Sequence, residues 1–179
     1  ARTDPAYAAA RGFVRPSDAR TVADRLPRGT CVVTLYPLDD ATVVVGITAG
    51  RRGRDPRVRV AAAPLARSDL DTWQQRIFGS GRQTHWWYGV DGMRKALSRR
   101  LLPALSEVIP GWEGAVAATD PGRVGARRRH PRLVLIPTGT LHRLPLHAIP
   151  LDPADDARDQ RCLIDCFVTT YATTADLLP

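Results

Sequence analysis

One short run of residues constrains the fold of this chain more than any other feature of its sequence. Residues 132–136 read RLVLI, and a proline stands on either side of them, at positions 131 and 137. A short, apolar, β-prone run between turn signals is typical of a strand that is buried on both faces of a parallel sheet. The sequence therefore predicts a parallel sheet towards the C-terminal end of the chain.

Other β-prone segments supply further strands. Leu163–Tyr171 (LIDCFVTTY) is predicted to be a second strand of the same, mainly parallel sheet. Thr30–Tyr36 and Ala41–Thr48 are β-branched, apolar runs on either side of the turn residues Pro37–Asp40, which predicts an antiparallel hairpin. Val58–Ala63 is a candidate third strand of that region.

Helical spacing is clearest between Gly92 and Ile109. The apolar residues of this segment recur at intervals of three or four along one helical face: Met93, Leu97, Leu101, Leu105 and Val108. Pro103 lies inside the segment, and we expect it to break or kink the helix or to begin a second one. A shorter helix is predicted after Ser17, a suitable N-cap, with Val22 and Leu26 on one face.

The net charge of +8 raises nucleic acid as a partner, because basic side chains that neutralise phosphates release counterions. Almost all of the basic residues are Arg, with Lys95 as the only lysine, and almost all of the acidic residues are Asp. A GC-rich genome produces this bias without selection for function, so we do not expect a nucleic-acid partner. An interface of that kind would need an aromatic cluster, residues 85–88 (HWWY), to converge with one of two basic runs: Arg51, Arg52, Arg54 and Arg57, or Arg127–Arg129.

The three cysteines, Cys31, Cys162 and Cys166, fit a reducing compartment, since an odd number in a chain of 179 residues does not indicate a disulfide framework. Cys162 and Cys166 would share one face of a strand, which suits buried structural cysteines better than metal ligands. Phosphate-binding glycine motifs are absent from the sequence. We therefore assign no cofactor and no metal.

The sequence also bears on the compartment and on the ends of the chain. With 44% hydrophobic residues the chain can bury a core, yet no apolar run approaches the roughly 20 residues of a membrane span. The N-terminal residues lack the layout of a secretory signal. We expect a cytoplasmic protein without a membrane partner, whose first and last residues are both cut ends of a longer chain.

Two ordered segments carry a family resemblance. Residues 132–150 (RLVLIPTGTLHRLPLHAIP) combine the apolar strand with a turn and an apolar element, and residues 162–174 (CLIDCFVTTYATT) follow as a Leu-Ile-acidic stretch that runs into an aromatic-small-Thr segment. Upstream, residues 26–48 match a hairpin and residues 97–110 a helix with an internal proline. In this order they resemble the CHAT family of caspase-like cysteine peptidases. The matching positions of the two specific segments are Pro137, Gly139, Leu141, Leu144, Pro145, Leu163, Ile164, Asp165, Tyr171, Ala172 and Thr174.

The resemblance implies an α/β fold, the front part of a caspase-like α/β/α sandwich preceded by a smaller α+β subdomain of hairpin and helices. Residues 1–28 would be a linker or the end of an upstream helical region such as TPR repeats. Residues 29–130 would form the N-terminal α+β subdomain. Residues 131–179 would hold the first strands of the caspase-like core, which the end of the chain truncates.

The resemblance also implies a cysteine endopeptidase with a catalytic His and a catalytic Cys, in which the Cys thiolate attacks the peptide carbonyl. Neither family motif for that pair is present, and the histidines at 85, 130, 142 and 147 lie elsewhere in the pattern. We therefore assign no catalytic residue within the chain. It would supply scaffold and part of the substrate-cleft wall, with the catalytic pair beyond its end.

The partners expected from the resemblance are the remainder of the CHAT domain, a peptide or protein substrate, and upstream TPR-like repeats. The remainder would cover the open strand edges of this segment. An inactive pseudo-caspase that serves as a regulatory or protein-binding module is the alternative. An Arg-rich nucleic-acid-binding domain is a second alternative, which the sequence supports less.

Overall fold

The computed structural model describes residues 19–49, 56–79, 86–118, 130–154 and 160–173, and only the backbone of residues 78–79 and 86–88. Five α-helices and five β-strands lie within these ranges. In chain order they are α1 (Ala19–Arg25), β1 (Thr30–Pro37), β2 (Thr42–Thr48), β3 (Arg57–Ala63), α2 (Arg67–Gln74), α3 (Trp86–Val108), α4 (Trp112–Ala118), β4 (Arg132–Pro137), α5 (Leu163–Cys166) and β5 (Val168–Tyr171). A π-helical turn, Gln75–Gly79, follows α2, and two 3₁₀ turns, Gly139–Arg143 and Leu146–Ala148, follow β4.

The strands form one mixed sheet in the order β3-β2-β1-β4-β5. β1, β2 and β3 pair antiparallel, whereas β4 pairs parallel with β1 and β5 pairs parallel with β4. The predicted hairpin, the third strand and the parallel pair are thereby confirmed. The fold is of the α/β class. The hairpin joins the parallel pair through β1 and β4, where Val33 stands opposite Leu135.

One face of the sheet, the packed face, carries the main core. Alternate residues of β1 and β4, such as Leu35 and Leu133, point towards this face because side chains alternate along a strand. The apolar stripe of α3 packs against them, and Leu97 and Leu101 are fully buried. Each such leucine contributes about 1.5–3 kcal/mol by its removal from water. The helical spacing of this segment thus indicated its buried face correctly.

Pro103 does not interrupt α3. The helix runs through it, so the expectation of a break or a new helix at this position is wrong. Proline removes the hydrogen bond to the carbonyl four residues earlier, which here belongs to Arg99. Both Pro103 and Arg99 are exposed, so water can satisfy that carbonyl.

The opposite face of the sheet, the open face, is covered less completely. Val22 and Leu26, in and just after α1, pack over Val32, Val134 and Ile136. Towards β2 and β3 the cover ends, and the apolar side chains are half-buried or exposed. The open face is therefore an apolar surface that the described residues cover only near β1 and β4.

The predicted strand Leu163–Tyr171 is wrong in its first half. Residues 163–166 form the short helix α5, and only residues 168–171 are strand. The Asp165 carboxylate accepts the backbone N–H of Cys162 at 2.7 Å, which satisfies a donor at the helix start. This contact competes with extension of the strand, so the chain turns once before β5 begins.

Some predicted features lie outside the described residues. They are the cap at Ser17, His85, the basic residues Arg51, Arg52 and Arg54, and the basic run Arg127–Arg129. Within the described ranges, no helix combines the length and apolar character that a bilayer crossing requires.

Candidate functional site

Three parallel strands bring their carboxyl ends to one edge of the sheet. In open α/β sheets ligands bind in the crevice outside these ends. We call this region the carboxyl edge and define it by Thr138–Arg143, Leu146–Ala148 and Tyr171. It is the candidate functional site of the chain.

The turn after β4 is fastened to the neighbouring elements. The backbone N–H and the Oγ1 hydroxyl of Thr138 both donate to the Leu35 carbonyl, at 3.1 and 2.8 Å. Gly139 follows with φ +56°, a left-handed conformation that side chains disfavour. Thr140 Oγ1 then donates to Asp71 Oδ1 of α2 at 2.9 Å. The Thr-Gly-Thr sequence thus holds the first part of the carboxyl edge in place.

Tyr171, at the end of β5, is held by His147. Its Oη accepts the backbone N–H of His147 at 2.9 Å and lies 3.0 Å from His147 Nδ1. A phenol hydroxyl both donates and accepts, so this contact forms whether the shared proton is on Oη or on Nδ1. Burial raises the pKa of Tyr171, and the backbone hydrogen bonds lower it less. The pair is a clip that joins β5 to the second 3₁₀ turn.

The sequence alone does not indicate this clip. Its two residues are 24 positions apart and belong to different elements. Only their common position at the carboxyl ends of parallel strands could have indicated that they meet.

The three thiols lie in different surroundings. Cys31 and Cys166 are buried in the core, which for Cys166 confirms the expectation of a buried structural cysteine. Cys162 is only half-buried, which corrects the expectation for that residue, and Arg94 Nη2 donates to its Sγ at 3.2 Å. The same guanidinium donates through Nε to the Ala148 carbonyl at 2.7 Å. Arg94 thereby links α3 to both the carboxyl edge and the start of α5.

A His-Cys pair does not form among the described residues. His130 Nδ1 lies 3.3 Å from the carbonyl oxygen of Cys166, not from its sulfur. His147 is engaged with Tyr171, and His142 is exposed on the first 3₁₀ turn. In the same described ranges, no group of three or more His, Cys, Asp or Glu residues is placed to hold a metal ion. Among the described residues, the carboxyl edge therefore offers surface and hydrogen-bonding groups, and no Cys thiol there contacts a His.

The stability of the chain is expected to fall in alkali because of Cys31. Burial raises the pKa of its thiol to about 12, and the nearby Arg59 guanidinium lowers it by a smaller amount. The neutral thiol stabilises the fold fully below the unfolded-state pKa of about 9, and this contribution is lost as the pH rises towards 12. The free energy of unfolding, measured with urea, should fall between pH 8 and about pH 10.5. This fall should be smaller for Cys31→Ala than for the unchanged chain. Equal losses in the two proteins would contradict the attribution of this alkaline instability to the Cys31 thiol.

Comparisons with known proteins bear on the family. The sequence matches no protein-family model, and no curated protein matches it. The comparisons therefore assign the chain to no family.

Proposed function

We propose that this chain is the N-terminal segment of a CHAT-domain cysteine endopeptidase. It supplies scaffold and part of the wall of the substrate cleft, and the catalytic His and Cys belong to the part of the protein that follows residue 179. Its compartment is the cytoplasm, in keeping with an odd number of cysteines that does not indicate a disulfide framework.

The observation that carries this function is the parallel series β1-β4-β5, which ends in an open strand. The side of β5 that faces away from β4 has no strand partner among the described residues. Val168 and Tyr171 of this strand are 52% and 41% exposed. An unpaired edge of this kind is normally paired or covered, so it is a suitable place for the next strand of a larger sheet.

A strand added in parallel to β5 would end beside Tyr171, at the carboxyl edge. A strand beyond it would end at the same edge. A catalytic His and a catalytic Cys at the ends of such strands would meet there, next to the Thr138–Arg143 turn. The substrate peptide would then lie along the carboxyl edge, with upstream repeats as a further partner of the complete protein.

The complete protein should cleave peptides, and the thiols of this chain should not contribute. We expect the triple variant Cys31→Ser, Cys162→Ser, Cys166→Ser to retain the activity within about threefold, because no described His contacts any of these sulfurs. Alanine at the downstream Cys should reduce kcat by several orders of magnitude. Hydrolysis of a fluorogenic peptide library by the complete protein measures both.

Two outcomes would contradict this function. Cleavage by the 179-residue chain alone, abolished by a change at one of its own cysteines, would move the active site into this segment. An intact complete protein that lacks either the downstream His or the downstream Cys would instead be the inactive pseudo-caspase module.

A further inference from the structure

The opposite end of the sheet carries a second open edge, formed by β3. One side of β3 pairs with β2 over its whole length, from Arg57 opposite Thr48 to Ala63 opposite Thr42. On its other side, none of the described residues forms a strand pair with it, and the one backbone hydrogen bond given to β3 from outside the sheet is that of the Leu65 N–H to the carbonyl of its last residue, Ala63, at 2.7 Å. Val60, in the middle of the strand, is 64% exposed. β3 is therefore a regular edge that is exposed at residues 57–60 and 62, and alternate residues of it direct their N–H and C=O groups away from β2.

The side chains of β3 alternate between charge and apolar surface. Arg57 and Arg59 lie on the packed face of the sheet, because they stand opposite Thr48 and Gly46. Val58 and Val60 point to the other side, towards the open face. A strand added to this edge would meet arginine on one face and valine on the other, since directly paired residues share a face.

The apolar side of the edge continues into the sheet. Val58 is paired with Ile47, and Val60 with Val45. Ile47 and Val45 are half-buried, so the strip continues over β2. Apolar side chains of an added strand would extend this strip and remove Val58 and Val60 from water.

The arginines of β3 favour a partner that carries negative charge. Arg59 Nη1 donates to the backbone carbonyl of Glu107 at 3.1 Å, which leaves its charge uncompensated by a carboxylate there. Arg57 is exposed and forms no ion pair with any described residue. The chain as a whole carries +8, so a second copy would be repelled and an acidic segment attracted.

We propose that the β3 edge binds an extended segment of another protein in which acidic and apolar residues alternate. Backbone hydrogen bonds to β3 provide the pairing, as in strand addition to other open sheet edges. The acidic side chains lie beside Arg57 and Arg59, and the apolar side chains lie beside Val58 and Val60. This site is at the far end of the sheet from β5 and does not depend on the peptidase function.

The test uses the 179-residue chain and a labelled seven-residue peptide of alternating Glu and Val. Fluorescence anisotropy should give an affinity about tenfold higher than for the matched peptide of alternating Lys and Val.

Two further peptides are N-methylated, one at its valines and the other at its inner glutamates. One of the two should lose binding, because only alternate N–H groups of an added strand point to β3. Protection of β3 in hydrogen exchange locates the site.

Matched protein variants distinguish binding at the β3 edge from nonspecific attraction of an acidic peptide to a basic protein. Arg57→Glu should lower the affinity for the acidic peptide about fivefold. Arg99→Glu makes the same change of charge on the exposed side of α3 and should lower the affinity much less. Val60→Thr keeps the β-branched shape and should weaken binding by reducing apolar contact. Equal affinity for the Glu and Lys peptides, or equal effects of the two arginine changes, would overturn the proposal. A dimer of the chain that Val60→Thr dissociates would also overturn it, because a second copy would then occupy the edge.

Discussion

Replacing Phe167 with alanine is expected to destabilise the fold by about 3–5 kcal/mol. Phe167 is 2% exposed and connects α5 to β5. Its ring lies 5.4 Å from that of Trp112 in α4, and its backbone N–H donates to the Leu163 carbonyl. Truncation removes the buried ring and leaves a cavity that these two helices cannot close without moving β5.

The melting temperature should fall by roughly 10 °C, since a loss of 1 kcal/mol shifts it by about 2–4 °C in a domain of this size. The neighbouring Val168→Ala is the matched control. Val168 is 52% exposed, so its truncation should cost less than about 0.5 kcal/mol. If both variants lost equal stability, Phe167 would not be the anchor of β5.

Replacing Gly46 with alanine should destabilise the fold by about 2–3 kcal/mol, although only one methyl group is added. A Cβ at this position would lie 2.7 Å from the carbonyl oxygen of Val108 and 2.9 Å from its Cβ. The carbonyl belongs to the last residue of α3 and cannot rotate away. The helix end would have to move off β2, which disturbs the packed face.

Gly92→Ala is the control for this second change. Gly92 lies in α3, and an added Cβ there would meet no atom within 4 Å. Alanine should stabilise the chain at this position by about 0.4–1 kcal/mol, because it reduces the freedom of the unfolded chain. Urea unfolding followed by circular dichroism measures both. Near-equal midpoints for the two variants would contradict the close approach of β2 and α3.

Several elements could be predicted because their signals are local. The residues around β1 and β2 are β-branched on both sides of turn residues, so neighbouring positions are sufficient to specify the hairpin. The helical period of α3 depends only on residues three or four apart. The apolar run at β4 indicated burial on both faces, and four of its residues are indeed nearly inaccessible.

The candidate site could not be predicted in the same way. The His147–Tyr171 clip and the Arg94–Cys162 contact join residues that are distant in the chain, and neither has a motif of its own. No spacing rule brings such residues together. His147 and Tyr171 meet because parallel pairing brings the turns after β4 and the end of β5 to one edge, whereas Arg94 reaches Cys162 from the helix α3.

The sequence by itself determined the hairpin strands β1 and β2, the buried strand β4 and the helix α3, because burial pattern and backbone preference are properties of adjacent residues. The tertiary structure alone decided how the strands are ordered, since β1 pairs parallel with a strand about a hundred positions away. It also decided that α3 continues through Pro103, whose missing hydrogen bond falls on the water-facing side. In each case the deciding free energy came from contacts between distant segments, which local patterns do not encode.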